Sequence, residues 1–133
     1  MAIPNKFDKL GNLIPFEEPL TLTAKSTNCK VKLIATGNPT ISGLKYRTSN
    51  KDNWKKYTIN TEINLPNIDD YVQFKNDNNY LSTSAIDYVY FVMSGNNIEA
   101  SGNIMSLLNY ITIVSSYAFR SLFDGCAIDL LYF

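Results

Sequence analysis

The fold class is decided by residues 19–36, PLTLTAKSTNCKVKLIAT, in which apolar and polar side chains alternate. Leu20, Leu22 and Ala24 alternate with threonines, and the pattern resumes beyond the polar turn at residues 26–28. Successive side chains of a β-strand point to opposite faces, so a period of two places one apolar face against a core. The stretch therefore predicts two half-buried strands joined by a turn.

Shorter stretches of the same kind continue up to about residue 100. Nine Tyr, seven Phe and one Trp in a chain of 133 residues also favour strands. Turn signals rich in Asn, Asp, Gly and Pro separate the stretches, which is typical of a β-sandwich. We predict a mainly β fold, an immunoglobulin-like β-sandwich over residues 19–100, with a central strand at 86–93 and further strands at 43–48, 54–59, 61–65 and 69–75.

Residues 1–18 are predicted to be an N-terminal arm outside the sandwich. Pro4, Pro15 and the Gly-Asn pair at 11–12 interrupt any regular element, yet the segment carries apolar side chains that need burial. An arm of this kind wraps its own domain or docks on a neighbour. The residues expected to anchor it are Ile3, Phe7, Leu10, Ile14 and Phe16.

Residues 101–133 are predicted to form a short helical cap with an apolar tail. The sequence SGN at 101–103 suits the start of one short helix, and the serines at 115–116 suit the start of a second. An exposed apolar tail promotes aggregation, so it folds back as a closing strand, buries in a partner subunit or adds a strand to a neighbour's sheet. The tail residues expected at an interface are Leu130, Leu131, Tyr132 and Phe133.

Charge and cysteine content argue against several kinds of site. Twelve basic and twelve acidic residues cancel and form no basic stripe, so nucleic-acid binding is not expected. The lysines at 51, 55 and 56 around Trp54 are interpreted as the solvated edge of a hairpin. Cys29 and Cys126 lie in no CxxC spacing, and without any His a structural zinc site lacks ligands. A disulfide between them is possible on count alone, but free thiols are favoured.

The sequence contains no recognisable catalytic constellation. Without His, a Ser or Cys nucleophile lacks its commonest base, and no Gly-rich phosphate loop is present. The Asp69-Asp70 pair is expected to form a turn, with a calcium site as the less favoured alternative. No signal peptide is visible, and no stretch approaches the ~20 apolar residues of a membrane span. We therefore predict no enzymatic activity, no cofactor, no metal and no membrane insertion.

Aromatic residues in neighbouring predicted strands point to sugar binding as a sharper alternative. A row of exposed rings can stack on sugar faces, whereas aromatics at strand spacing also serve as cross-strand packing pairs. The two interpretations differ in whether the rings are exposed or buried. The candidate stacking residues are Tyr46, Trp54, Tyr57 and Tyr71.

Several separate blocks of the sequence resemble one family. They are PLTLTA at 19–24, GLKYRT at 43–48, WKKYTI at 54–59, DYVQF at 70–74, YFVMSG at 90–95 and ASGNIMSLLNY at 100–110. These blocks are similar to the N-terminal β-domain of BspA-type leucine-rich-repeat surface proteins of Bacteroides-type gut bacteria, and to modules of their phages. The resemblance covers residues 19 to about 126 and implies a β-rich domain ahead of a repeat array.

The sequence departs from that family where the repeats would begin. SYAFRSLFDGC at 116–126 resembles the opening of one repeat, but AIDLLYF follows at 127–133 in place of further repeats. A solenoid needs roughly three or more units to bury its core, so a truncated leucine-rich-repeat cap is expected. The adhesion ascribed to such arrays therefore does not carry over directly.

Two functions are compatible with this sequence. With no export signal in view, we expect a non-enzymatic structural protein of a phage virion, made in the host cytoplasm, such as a capsid decoration or head-fibre component. Its partners would be other virion proteins or copies of itself. The alternative is a bacterial cell-surface adhesion or carbohydrate-binding module that contacts a surface glycan.

Overall fold

The computed structural model describes residues 18–38, 41–78, 87–95, 97–109 and 122–123, together with the backbone of three short strands near the chain ends. Within these residues the chain forms eleven β-strands and one 3-10 helix. In chain order they are β1 (Lys6–Phe7), β2 (Leu13–Ile14), β3 (Leu20–Ala24), β4 (Cys29–Thr36), β5 (Leu44–Arg47), β6 (Lys55–Lys56), β7 (Ile63–Leu65), β8 (Tyr71–Asn76), β9 (Tyr88–Ser94), β10 (Ile98–Ser101), the 3-10 helix (Ile104–Leu108) and β11 (Ile128–Leu130).

These strands form two larger sheets and one separate pair. The first sheet has six strands in the order β11-β10-β3-β8-β5-β6, and the second has three in the order β7-β4-β9. Strand β1 pairs with β2. Neighbouring strands are antiparallel except for β10 and β11, which run parallel. The prediction of a mainly β fold is confirmed.

The six-stranded and three-stranded sheets share one core, which gives a sandwich-like arrangement. In β3, Leu20, Leu22 and Ala24 have no exposed surface, and alternate residues of β4, β8 and β9 are equally buried. The rings of Phe74 on β8 and Phe91 on β9 meet between the sheets, with centroids 5.4 Å apart. The period of two in the sequence therefore selects the inward face of each sheet.

The turn after β3 carries the chain from one sheet to the other. Strand β3 pairs with β8 and β10, whereas β4 pairs with β7 and β9. The turn ends at Asn28, whose φ of 58° is left-handed, and the Asn28 N–H donates to the Pro66 carbonyl at 2.9 Å. The predicted turn is present, and it joins the two layers instead of closing a hairpin.

Other strand predictions are confirmed in place but differ in extent. The strand predicted at 54–59 shrinks to β6, because the chain leaves the sheet edge and Asn60 takes a left-handed φ of 75°. The strand predicted as central, at 86–93, is β9; among the described strands the middle of its sheet is β4. Strand β10 was missed because its alternation lasts only four residues.

The predicted C-terminal helices are not found as such. The first is a 3-10 helix of five residues: the Asn103 Oδ1 accepts from the Met105 N–H at 2.9 Å, and Asn109 ends the helix in a left-handed conformation. The second would lie in a part of the chain of which only Leu122 and Phe123, both in a turn, are described. The capping signal was correct, but it starts one short turn that packs on the sheet.

Ser106 fastens this 3-10 helix to the six-stranded sheet. Its hydroxyl accepts from the Leu20 N–H at 2.9 Å and donates to the Phe74 carbonyl at 2.8 Å. Leu20 and Phe74 are register partners on β3 and β8, so one buried hydroxyl satisfies both backbone groups at the end of their ladder. Leu107 and Leu108 are buried beside it, which makes the 3-10 helix part of the core.

Both chain ends contribute short strands. Strands β1 and β2 form an antiparallel pair, so the arm has a regular element that the sequence did not predict. Strand β11 pairs with β10, so residues 128–130 fold back as a closing strand. Of the expected anchoring residues, Phe7, Ile14 and Leu130 lie in these strands. The others lie outside the described residues: Ile3, Leu10, Phe16, Leu131, Tyr132 and Phe133.

Cys29 begins β4 as a buried free thiol. Its Sγ lies 3.3 Å from the Ser26 Oγ and 3.7 Å from the Asn97 carbonyl oxygen. The prediction of a free thiol is confirmed for Cys29, whereas Cys126 lies outside the described residues.

Candidate functional site

The four aromatic residues predicted to stack on sugars fall on opposite sides of the six-stranded sheet. On β5, Tyr46 faces the core side with its register partner Phe74, and it packs edge-to-face on Tyr57 at a centroid distance of 5.7 Å. Tyr71 on β8 and Trp54 before β6 lie on the outer side. The structure therefore does not bring the four rings into one row.

Tyr57 is a core residue and cannot present its ring to a sugar. It is 2% exposed, and its ring packs edge-to-face on Phe74 with centroids 5.5 Å apart. Its hydroxyl accepts from the Leu33 N–H at 2.8 Å and donates to the Thr61 carbonyl at 2.6 Å. The Tyr57 hydroxyl thus ties the loop after β6 to strand β4 of the other sheet. The stacking role predicted for it is corrected to packing.

We expect Tyr57→Phe to lower the free energy of unfolding by about 1–3 kcal/mol, because it leaves the Leu33 N–H and the Thr61 carbonyl without their partner. Urea titration followed by circular dichroism measures this. Tyr90→Phe is the matched control: Tyr90 is half-buried on the outer side of β9, and its hydroxyl bonds to none of the described residues. A loss equal to that of the control would contradict the bridging role.

Ionisation of the Tyr57 hydroxyl should make the free energy of unfolding depend on pH in the alkaline range. Burial raises the pKa of Tyr57 above its ordinary value of 10.0. A raised pKa in the folded state gives a stabilising contribution that is complete below about pH 10 and is lost as pH rises through the folded pKa. We therefore expect the free energy of unfolding to fall less steeply above about pH 10 in Tyr57→Phe than in the wild type.

On the outer side of the same sheet, two cations face one indole ring. The Arg47 Cζ lies 4.3 Å and the Lys75 Nζ 5.0 Å from the centroid of the Trp54 ring. Both distances are within the range of a cation–π interaction. Strands β5 and β8 present these cations as diagonal neighbours on the outer face, because Arg47 and Lys75 alternate with the inward residues of their strands. We call Arg47, Trp54 and Lys75 the cation–indole cluster.

Hydrogen bonds across three strands fix the guanidinium of this cluster. The Arg47 Nε donates to the Gln73 Oε1 at 2.7 Å, and the Gln73 Nε2 donates to the Thr21 Oγ1 at 3.2 Å. The Thr21 hydroxyl donates in turn to the Pro19 carbonyl at 3.0 Å. Gln73 is only 8% exposed, so its hydrogen bonds to Arg47 and Thr21 fix the Arg47 guanidinium from its buried side.

Asp77 is the carboxylate that approaches this cluster. Its Oδ2 lies 2.6 Å from the Lys45 Nζ, and its Oδ1 lies 3.9 Å from the Lys75 Nζ. The hydrogen bond from Lys45 holds the pKa of Asp77 below its ordinary value, so the carboxylate stays ionised. With Lys45 and Lys75 sharing one acid beside Arg47, this part of the outer surface carries an excess of positive charge.

Tyr71 positions the loop that leads to Trp54. Its hydroxyl accepts from the Asn50 N–H at 2.7 Å, in the turn between β5 and β6. Tyr71 also lines a depression of about 290 Å³ with Leu65 and the Asp69-Asp70 pair. The predicted stacking residue therefore holds a loop in place through its hydroxyl.

The Asp69-Asp70 pair forms a turn, as its sequence favoured. The Asp69 Oδ1 pairs with the Lys25 Nζ at 2.9 Å, and the Asp70 Oδ2 accepts from the Asn67 N–H at 2.8 Å. Asp69 has a left-handed φ of 74°. Within the described part of the chain, no three metal-ligating acidic, Cys or His side chains come together.

A second depression, of about 390 Å³, opens where the two sheets part. Its lining includes the apolar side chains of Ala35, Ile41 and Ile59, and Lys56 is its one charged residue among those described. It lacks a concentration of polar groups like that around Trp54. The cation–indole cluster is therefore the better candidate for a binding site.

No family model, curated protein or solved structure matches this chain. The similarity to the BspA-type β-domain therefore stays a hypothesis that rests on the sequence blocks alone. The one helix within the described residues, the 3-10 helix of five residues, is far too short to cross a membrane.

Proposed function

We propose that this protein is a non-enzymatic structural component of a phage virion, such as a capsid decoration or head-fibre protein, with an immunoglobulin-like β-sandwich. The observation that carries the proposal is the arm: β1 and β2 pair with each other and with no strand of the two sheets that the structure describes. An apolar arm outside the main sheets is suited to docking on another subunit. The proposed partners are other virion proteins or further copies of the chain.

The buried polar side chains support a structural role. Among the described residues they are Gln73, Asn76, Asn103 and Ser106. Gln73 holds Arg47, Asn103 caps the 3-10 helix, and Ser106 bridges β3 and β8. The Asn76 Oδ1 accepts from the Asn78 N–H at 3.0 Å. Each of these groups stabilises the backbone or a neighbouring side chain, which is what a rigid assembly module requires.

The edge of the six-stranded sheet at β6 is protected against nonspecific pairing with the sheets of other molecules. Its last strand, β6, has only two residues, Lys55 and Lys56, and both are exposed. A short edge strand with lysines discourages pairing with the edge of another sheet. Association through the arm, and not through this edge, is the mode that the described strands favour.

The proposal is tested by charging the arm within the full chain. We expect Phe7→Asp and Ile14→Asp to reduce incorporation into virions at least tenfold, and deletion of residues 1–16 to abolish it. Ile68→Asp, at an apolar side chain that is 57% exposed in the turn before β8, is the matched control and should incorporate normally. Circular dichroism and the thermal midpoint of each variant check that the sandwich still folds. Normal incorporation of the folded deletion variant would refute the anchoring role.

A second candidate function is a bacterial cell-surface adhesion or carbohydrate-binding module. One observation favours it: Trp54 is only half-buried and lies with two cations on the outer side of a sheet. An adhesin would be encoded in a longer reading frame with a signal sequence upstream of Met1. Capsid and portal genes beside the coding sequence would instead support the virion component.

A further inference from the structure

We propose that the cation–indole cluster binds an acidic polysaccharide, with its carboxylate or sulfate groups on Arg47 and Lys75 and a sugar ring on the exposed part of Trp54. This inference rests on the second candidate function and is independent of virion assembly. It goes further than that candidate because it names the charge class of the ligand.

Positive charge is concentrated around the cation–indole cluster. The whole chain is neutral, yet Lys45, Arg47 and Lys75 lie on one face of β5 and β8, and among the described residues Asp77 is the one carboxylate that pairs with them. The side chains of Lys45 and Lys75 are 37% and 30% exposed, so both remain reachable from solvent. An anionic ligand would find an unbalanced positive charge here and not a fully paired network.

The guanidinium group of Arg47 is held in a fixed position. A guanidinium binds carboxylates and sulfates through two parallel N–H donors when its plane is held in place. Gln73 takes only the Nε donor of Arg47, at 2.7 Å, which leaves the terminal nitrogens for a ligand. The row from Gln73 to Thr21 thus holds the donor group before any ligand arrives, which reduces the entropy lost on binding.

The indole ring of Trp54 provides a surface for a sugar ring. Trp54 combines an apolar ring with an N–H that donates to no acceptor among the described residues. An amphipathic ring of this kind suits a sugar, which presents C–H groups on one face and hydroxyls at its edge. A polyanion without sugar rings would use the cations but gain nothing from Trp54.

Dextran and its derivatives provide matched probes, since neutral, carboxymethylated and sulfated dextran share one backbone. By affinity electrophoresis or calorimetry of the full chain, we expect the charged dextrans to bind with a Kd of roughly 0.1–1 mM per site and neutral dextran at least tenfold more weakly. The affinity should fall with added salt, because the contacts are exposed ion pairs.

Variants with equal charge changes on the two sheets test the location. Arg47→Gln with Lys75→Gln should weaken binding of the charged dextrans roughly five- to tenfold. Lys30→Gln with Lys32→Gln removes the same two charges from β4 of the three-stranded sheet and should leave binding unchanged. Trp54→Ala should weaken it at least fivefold, and Arg47→Lys should retain more affinity than Arg47→Gln. Urea titration confirms that each variant is folded.

Three outcomes would overturn the inference. They are an equal loss in the two double variants, binding of polyglutamate as tight as that of the charged dextrans, and absence of binding to either charged dextran. Binding of neutral dextran as tight as that of its derivatives would overturn the acidic class while leaving sugar binding intact. None of these binding results bears on incorporation into virions, so the proposed polysaccharide binding and the proposed virion role can be refuted separately.

Discussion

Gly102→Ala is expected to lower the free energy of unfolding by about 3–5 kcal/mol. Gly102 has a left-handed φ of 79°, which a residue with a Cβ adopts only under strain. A Cβ at this position would also lie 2.1 Å from the carbonyl oxygen of Pro19, a backbone atom that cannot rotate away. The backbone around the start of β3 must therefore shift.

Gly43→Ala is the control for this substitution. A Cβ at Gly43 would come within 2.9 Å of the Asn78 Nδ2, a side-chain atom that can move, and within 3.2 Å of the Asn78 backbone nitrogen, which a small shift relieves; its φ is not left-handed. We expect a loss of about 1 kcal/mol there, within the ordinary range for a point substitution. Urea titrations that placed the two alanine variants within 1 kcal/mol of each other would contradict the close approach at Gly102.

Phe74→Ala is expected to cost about 3–5 kcal/mol, because it opens a cavity between the two sheets. Phe74 is fully buried, and its ring contacts Tyr57 at 5.5 Å and Phe91 at 5.4 Å between centroids. It therefore lies in the middle of a row of rings that joins the six-stranded to the three-stranded sheet. The variant should still unfold in one transition, but at a lower urea concentration.

Val92→Ala provides the contrast for Phe74→Ala. Val92 is 37% exposed on the outer side of β9, so its truncation removes little buried surface. We expect a change within about 0.5 kcal/mol. Phe74→Leu should fall between the two, since a smaller apolar side chain fills part of the cavity. A loss below 1 kcal/mol for Phe74→Ala would show that the two layers do not depend on this ring.

The sequence identified the class of fold and most strand positions, because alternation is a local property. The alternation of Leu20 and Leu22 with polar residues shows that both side chains face the core, whichever strands pair with β3. The assignment of β3 and β4 to different sheets depends instead on strands far along the chain, such as β8 and β10. No local pattern around the turn at 26–28 carries that information.

The candidate site was predicted only in part, because residues of neighbouring strands form one site only when they also lie on the same face of the sheet. Tyr46, Trp54, Tyr57 and Tyr71 occur in neighbouring predicted strands, but the parity of each position in its strand places the rings on opposite sides of the sheet. Trp54 faces outward and Tyr57 inward because they are three positions apart, and an odd separation places two residues of a strand on opposite faces. Arg47 and Lys75 were not singled out. Their alternation with inward residues of β5 and β8 was the signal that could have found them.

The Ser106 hydroxyl has a consequence for the order in which the chain folds during synthesis. Its bond to the Leu20 N–H joins groups that lie 86 positions apart, and β3 also needs β10 as a neighbour. A nascent chain therefore cannot complete its first long strand until residues beyond 100 have left the ribosome. Contacts this distant in sequence slow folding. The apolar strand β3 remains unprotected until then, so premature release or a stall before that point would favour aggregation.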